Sequence, residues 1–157
     1  MATENQKLQK VMRLYKQETG EKELDMHKVA EFAKKKGWPM PRPVDPLELL
    51  AKKLSAAARE EIRYDTKTNR PYRANHAYTN DQQMTLWIDI DEAPRKPMVK
   101  SVVKRREGMV SDGVQLTFDV QHWNRINPNE EPISADMDLT DEVQWRINAP
   151  DEDRKAS

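Results

Sequence analysis

The sequence predicts a mostly helical α+β fold, in which three helices precede a β-hairpin and a long helix follows it. Apolar residues recur at helical spacing in four segments, and they alternate strictly in two short segments on either side of residue 80. Helix-capping residues also stand in front of the second and third helical segments. A chain of 157 residues most often forms one domain with a real core.

Two helices are predicted in the first 37 residues. The first stops at Gly20, and the second runs from a capping residue, Asp25, to Gly37. Their apolar faces consist of Leu8, Val11, Met12 and Tyr15 in the first helix and of Val29, Phe32 and Ala33 in the second. Alternate prolines then predict an extended segment, which we expect Trp38 to anchor.

The third helix has the clearest start signal in the chain. Asp45 can cap it, Pro46 fits its first position and Glu48 completes a capping-box pattern. The stripe expected to be buried consists of Leu47, Leu50, Leu54, Ala57, Ala58 and Ile62. A second, basic side contains Lys52, Ala56, Arg59 and Arg63, with Lys53 nearby.

A β-hairpin is predicted after a turn-rich stretch at residues 65–72. The alternating apolar positions are Tyr72, Ala74, His76 and Tyr78 before the bend and Met84, Leu86, Ile88 and Ile90 after it. Asn80 and Asp81 supply the turn. One face of this hairpin is therefore expected to be apolar.

Residues 98–124 are predicted to form the long helix. Its seam has spacings of three and four and comprises Val99, Val102, Arg106, Met109, Gly113, Leu116, Val120 and Trp123. A strand over residues 114–120 is the alternative, but alternation explains seven residues whereas the helical period runs through 25. We expect this seam to be buried against a second copy in a homodimer, although Arg106 and Gly113 make it an imperfect coiled coil.

Composition excludes several classes of site. The chain has no cysteine, so it can form no disulfide, thiolate nucleophile or cysteine-ligated zinc or iron–sulfur centre. No apolar run approaches the roughly 18 residues of a membrane span, and the N-terminus lacks a signal-peptide core. A cytoplasmic location without a membrane partner is expected, and no cofactor or metal is expected either.

The net charge of zero conceals an asymmetry along the chain. Residues 28–106 contain 18 basic and 10 acidic side chains, whereas residues 107–157 contain 4 basic and 12 acidic ones. Such a division suggests a polyanion-binding region followed by an acidic tail that can compete with the polyanion. Residues 128–157 are predicted to be this partly flexible tail, with one docked element around Val143 to Ile147.

Three helices followed by a hairpin, over residues 5–91, resemble the element order of the winged helix-turn-helix family. The resemblance implies a recognition helix at residues 45–63 and a wing at residues 64–91 that bind duplex DNA. The implied organisation is a domain at 1–92, a long helix at 93–127 and the tail at 128–157. The segment between the second and third helices is longer than the usual tight turn.

The basic residues of the recognition helix and wing are the predicted DNA contacts. They are Lys52, Lys53, Arg59, Arg63, Lys67, Arg70 and Arg73, and each phosphate they neutralise would release condensed counterions. The small Ala56 would allow close approach to base edges. The sequence thus predicts a non-enzymatic DNA-binding protein of the transcriptional-regulator kind.

Four segments also look like those of a widespread group of small bacterial proteins for which no activity is established. They read YRANHA, LWIDIDEAPRK, VKRREGMV and HWNRINPNEEPI. The resemblance implies a bacterial or phage-like origin and transfers no site residue.

Two other function classes remain open. Asp89, Asp91 and Glu92 with His76 could hold a magnesium or manganese ion for a nuclease reaction. Alternatively, the long-helix seam could make the protein an adaptor or dimerisation module that binds no nucleic acid. The salt dependence of any polyanion affinity separates this adaptor from a DNA-binding protein.

Overall fold

The computed structural model describes residues 1–149, and it divides the chain into two compact units, Met1–Ala51 and Lys52–Ser157. The elements of the described residues are α1 (Glu4–Thr19), α2 (Met26–Lys35), α3 (Pro46–Glu60), β1 (Ile62–Tyr64), β2 (Pro71–Arg73), β3 (Asn75–Thr79), β4 (Thr85–Asp89), α4 (Arg95–Ile126) and α5 (Thr140–Asn148). The predicted mostly helical α+β class is confirmed. The winged-helix identity and the predicted division at residues 92 and 127 stay predictions.

The ends of α1 and α2 lie where the capping chemistry requires them. Thr3 and Gln6 form a reciprocal capping box at the start of α1, and Gly20 ends that helix in the left-handed region at φ 71°. At the start of α2, the carboxylate of Asp25 accepts a hydrogen bond from the His27 backbone N–H at 2.9 Å. Both predicted stops and the Asp25 cap are confirmed.

The core of the first unit lies between α1 and α2. Tyr15, Val29 and Ala33 are buried, and the rings of Tyr15 and Phe32 meet edge to face with centroids 5.4 Å apart. The Tyr15 hydroxyl donates to Glu21 at 2.6 Å, which raises the pKa of that hydroxyl. These contacts use the apolar faces that the sequence predicted for both helices.

The helix α3 departs from its prediction in two ways. Its apolar stripe is exposed rather than buried: Leu47 is 74% exposed and Leu54 is 62% exposed. The helix also ends at Glu60, so Arg63 lies on β1 and not on the helix. An amphipathic pattern shows that a face is apolar, but it does not show that the same chain covers that face.

The four strands form two antiparallel hairpins. The second hairpin, β3–β4, corresponds to the predicted one, and it pairs His76 with Ile88 and Tyr78 with Leu86. Its first strand begins at Asn75, so the prediction that Tyr72 belongs to this strand is wrong. The first hairpin, β1–β2, was not predicted, and it pairs Arg63 with Tyr72. The predicted wing at residues 64–91 is therefore two small sheets instead of one.

Ala74 connects the two hairpins. Its backbone N–H donates to the Glu61 carbonyl at 3.0 Å, and its own carbonyl accepts from the Ile90 N–H at 2.8 Å. One residue thereby extends the hydrogen-bond ladder of each sheet. Its side chain is completely buried.

The helix α4 contains the whole predicted stretch 98–124, so the alternative strand at 114–120 is wrong. Its first turns pack on β3, where Pro97 and Ser101 are buried. The predicted seam residues Val102 and Met109 are 55% and 65% exposed within the chain. Their burial against a second copy stays a prediction.

Residues 127–139, the return segment, run back along α4. The side chain of Asn124 donates to the Ile133 carbonyl and accepts from the Ile133 N–H, both at 2.9 Å. Farther back, a Cβ added to Gly113 would lie 3.2 Å from the Met137 sulfur. Gly113 and Asn124 are about 16 Å apart along α4, and the four extended steps from Ile133 to Met137 span about 13 Å. The two lengths are similar, which fits a segment that runs alongside the helix.

The element predicted around Val143 to Ile147 is α5. The rest of the predicted tail, residues 150–157, lies outside the described residues. Within the described part of the chain, no helix has the length and apolarity needed to cross a membrane.

Candidate nucleic-acid interface

The loop of the first hairpin, residues 65–70, has a backbone fixed by its own first residue. The carboxylate of Asp65 accepts from the N–H groups of Lys67 and Thr68 at 2.9 and 3.0 Å. These bonds, that of Thr68 foremost, lower the pKa of Asp65. Asn69 adopts φ 55°, a conformation that asparagine tolerates better than most residues. The loop therefore presents Lys67 and Arg70 from an ordered turn.

The open end of the same hairpin is held by an ion cluster around Arg63. Its guanidinium makes two hydrogen bonds of 2.8 Å to Asp89 and a third of 2.8 Å to Asp91, with Glu61 at 3.6 Å. The Tyr72 hydroxyl donates to Asp91 at 3.0 Å. Bidentate pairing of this kind fixes geometry as well as charge.

The ionisation of the cluster follows from these contacts. Hydrogen bonds first to Asp89 and then to Asp91 raise the pKa of Arg63 above its ordinary value. The hydrogen bond from Arg63 is the main cause of the lowered pKa of Asp89. Both shifts favour the charged forms of Arg63 and Asp89, so the positive charge of Arg63 is offset within the chain. The structure thus places this predicted DNA contact against carboxylates.

The C-terminal end of α3 lies on one face of the second hairpin. The Arg59 guanidinium stacks over the Trp87 ring at 5.2 Å from its centroid. The Asn75 amide donates to the Ala58 carbonyl at 3.2 Å and to Glu61 at 2.9 Å. Arg59 is therefore partly committed to an intramolecular contact as well.

The other five predicted DNA contacts are exposed and have no ion pair within the described residues. They are Lys52 and Lys53 on α3, Lys67 and Arg70 in the loop, and Arg73 on β2. Three of these cations thus lie on the first hairpin and two on α3. Ala56 is exposed on α3.

Three of the four residues considered for a metal-dependent nuclease, Asp89, Asp91 and His76, are engaged in other contacts. Asp89 and Asp91 bind Arg63, and the buried His76 donates from Nε2 to the Arg73 carbonyl at 2.9 Å. Within residues 1–149, no three histidine or acidic side chains are grouped as metal ligands would be.

An open pocket of about 620 Å³ lies beside the first hairpin. Its lining comprises Asp65, Thr66, Thr68, Arg70, Pro71, Tyr72, Ile90 and Asp91. Burial, followed by the hydrogen bond to Asp91, raises the pKa of the Tyr72 hydroxyl. The lining combines the carboxylates of Asp65 and Asp91 with the guanidinium of Arg70, so this pocket is of mixed charge.

Sequence reasoning missed the acidic partners of Arg63. A signal was present, because Asp89 and Asp91 are two residues apart at a strand end, and side chains at that spacing point to the same side of a strand. The cation that would join them is 26 residues away from Asp89 along the chain, which no local pattern reveals.

Comparison with known proteins gives no match to a family model, to a curated protein or to a solved structure. The class of protein is consequently defined by its own geometry, an α+β chain with two small antiparallel hairpins and a long helix that packs on the second of them.

Proposed function

We propose that this protein binds nucleic acid without catalysis, and that Lys67, Arg70 and Arg73 on the first hairpin hold the phosphates of duplex DNA. One observation carries the proposal: these three cations project from an ordered hairpin and have no acidic partner within the described residues. Arg63, by contrast, is fully paired. The hairpin thus uses one cation for its own structure and leaves three for a ligand.

The rigidity of the loop supports a binding role. Ordering a flexible loop on binding costs free energy, and a loop already fixed by Asp65 avoids much of that cost. Phosphate contacts made by lysine and arginine supply most of a non-specific affinity through counterion release. In this proposal Lys52 and Lys53 add contacts from α3, and Arg63 positions the hairpin instead of entering the groove.

Fluorescence anisotropy with a random duplex at several salt concentrations tests the proposal. The triple variant Lys67→Ala, Arg70→Ala, Arg73→Ala should weaken binding on every sequence and reduce the salt slope by about three units, since each phosphate contact contributes about 0.9. A matched control removes three exposed cations from α1 through Lys7→Ala, Lys10→Ala and Arg13→Ala. Equal loss in both triple variants, or no binding by the intact protein at low salt, would contradict the proposal.

Reversing Arg63 to glutamate is not a clean test of DNA binding. The new carboxylate would face Asp89, Asp91 and Glu61, so the hairpin itself should open. The triple variant removes side chains of the loop and of β2 that take no part in the ion cluster, so the cluster stays intact and this variant is preferred.

A second function, that of a protein–protein adaptor or dimerisation module, is favoured by the exposed apolar residues along α4. It predicts stable self-association or partner binding without a salt-dependent affinity for DNA. The intact protein in the anisotropy titration therefore separates the two functions.

A further inference from the structure

The middle of α4 is exposed on every side although it is rich in apolar residues. Every residue from 102 to 112 is exposed, including Val102, Val103, Met109 and Val110. Among residues 1–149, the contacts that cover α4 lie toward its ends, with β3 at Pro97 and Ser101 and with the return segment along residues 113–124. Contiguous exposed apolar surface of this kind marks an interaction site.

The uncovered residues continue the face that the return segment covers farther along. At about 100° per residue, Val99, Val102, Val103, Met109 and Val110 fall within an arc of about 120°. Gly113 and Val120 lie within the same arc. One side of α4, whose length is about 48 Å, is therefore largely apolar, with Arg106 inside the arc. Within the described residues, the return segment occupies the second half of this side.

The charges along α4 identify the occupant of the uncovered half. Residues 95–110 contain six cations and one acid, while residues 111–142, which include the whole return segment, contain one cation and eight acids. Of these cations only Lys100 has an ion pair within the described residues, and none of the eight acids has one. Each half carries the charge that would complement the other half.

We propose that two copies of this chain pack antiparallel along α4, with the basic half of each helix against the acidic half and return segment of the other. A parallel pair would place six cations against six cations, which is unfavourable. The antiparallel pair brings opposite charges together twice through one two-fold axis, as an isologous interface requires. It also covers the exposed valines with the exposed side chains of Leu116, Ile133 and Met137.

The interface goes beyond nucleic-acid binding and does not depend on it, so the mass of the protein is measured without DNA. Sedimentation equilibrium of the full chain should give a dimer in the micromolar range. The variant Arg105→Glu, Arg106→Glu and the variant Asp112→Lys, Asp119→Lys should each raise the Kd for self-association about tenfold or more. Reversing two exposed cations of α1, Lys7→Glu and Lys10→Glu, is the matched control and should leave Kd unchanged.

Mixing the two interface variants should restore dimers, since each reversed half then meets an opposite charge on the other chain. Circular dichroism of each variant confirms that the helix is retained. If one variant unfolds, the other still tests the charge contact on its own. A monomeric intact chain at about 100 μM, or variants that dimerise as well as the intact chain, would overturn the proposal.

Direction is tested by pulsed electron spin resonance, which is simplified because the chain contains no cysteine. Single labels are placed at Lys96→Cys in one sample and at Gln121→Cys in another. Each sample gives the distance between the same labelled residue in the two chains. In an antiparallel dimer, the distance measured at residue 96 and the distance measured at residue 121 should add up to about 75 Å, wherever between these residues the two-fold axis crosses α4. A parallel dimer would give about 10 Å in each sample, and that result would overturn the antiparallel arrangement.

Discussion

The two hairpins are neighbours in the chain, yet they are stabilised by different forces. The second hairpin has five residue pairs and contains the buried His76, and α4 packs on its strand β3. The first hairpin has three residue pairs, and its fixed geometry comes from ion pairs at one end and an aspartate-capped loop at the other. Burial stabilises the second hairpin, whereas directional polar bonds stabilise the first.

This difference fits the exposure of each hairpin. A three-pair hairpin offers too little area for a core, so bidentate hydrogen bonds supply its order. Such a hairpin can be rigid while most of its side chains stay in solvent. It can therefore present cations to a ligand, which a hairpin packed on both faces cannot do.

The largest expected effect comes from disturbing the buried residue that joins the two hairpins. Ala74→Leu would place three additional carbons where no exposed surface remains, and overpacking of this kind costs about 1–3 kcal/mol. Urea unfolding followed by circular dichroism measures the loss. Ala56→Leu, at an exposed site on α3, is the control and should change the free energy of unfolding by less than about 0.5 kcal/mol. Equal losses would show that Ala74 is not the shared core of the hairpins.

A smaller, local effect should follow from removing the charge of Asp89. Asp89→Asn takes away the bidentate partner of Arg63, so amide exchange at Asp65, whose N–H bonds the Arg70 carbonyl, should become several-fold faster. Exchange in the second hairpin should change much less. Asp81→Asn, which affects only the exposed pair with Lys100, is the control.

The same carboxylate sets an acid limit for the first hairpin. Because the pKa of Asp89 is lowered in the folded state, its stabilising effect is complete above the unfolded value of about 3.9. The effect is lost as pH falls below that value through the folded-state pKa. Amide exchange in the first hairpin should therefore accelerate in acid before exchange in the second hairpin does. Asp89→Asn should reduce this difference and leave the part due to Asp65, whose pKa is lowered by hydrogen bonds from Thr68 and Lys67.

The smallest effect concerns the turns. Gln83 in the second hairpin and Asn69 in the first both have positive φ, at 62° and 55°. Asparagine tolerates this region, whereas glutamine is strained there, so Gln83→Gly should stabilise by about 0.5–1 kcal/mol. Asn69→Gly should change stability by only a few tenths of a kcal/mol. Thermal unfolding of the two variants measures both changes in stability. An equal gain in stability at both positions would contradict the predicted difference.

Long periodic patterns predicted the fold well. The alternation from Tyr72 to Ile90 indicated the second hairpin, and a period running through residues 98–124 indicated α4 despite two glycines. The first hairpin was missed because strands of three residues are too short to show alternation. The return segment was missed because its attachment depends on one amide side chain and one glycine.

The surroundings of some predicted binding residues were predicted correctly and those of others were not, for a similar reason. Sequence spacing placed Lys67 and Arg70 correctly in a turn, since local chemistry determines that turn. It could not reveal that Arg63 would meet Asp89, because ion pairs depend on how distant segments come together. It also indicated an apolar face on α3 that the chain itself does not cover.

The attachment of the return segment has a consequence for exchange between molecules. Asn124 binds the backbone of Ile133 through both the nitrogen and the oxygen of its side-chain amide, and Gly113 leaves room for Met137. The helix α4 therefore acts as a receptor for a short peptide of defined register. None of these contacts depends on the peptide and the helix belonging to the same chain. The turn after Asn127 sets which α4 the segment can reach. Shortening that turn until the segment can no longer fold back would convert an internal clasp into a swapped one without altering a single contact of the clasp.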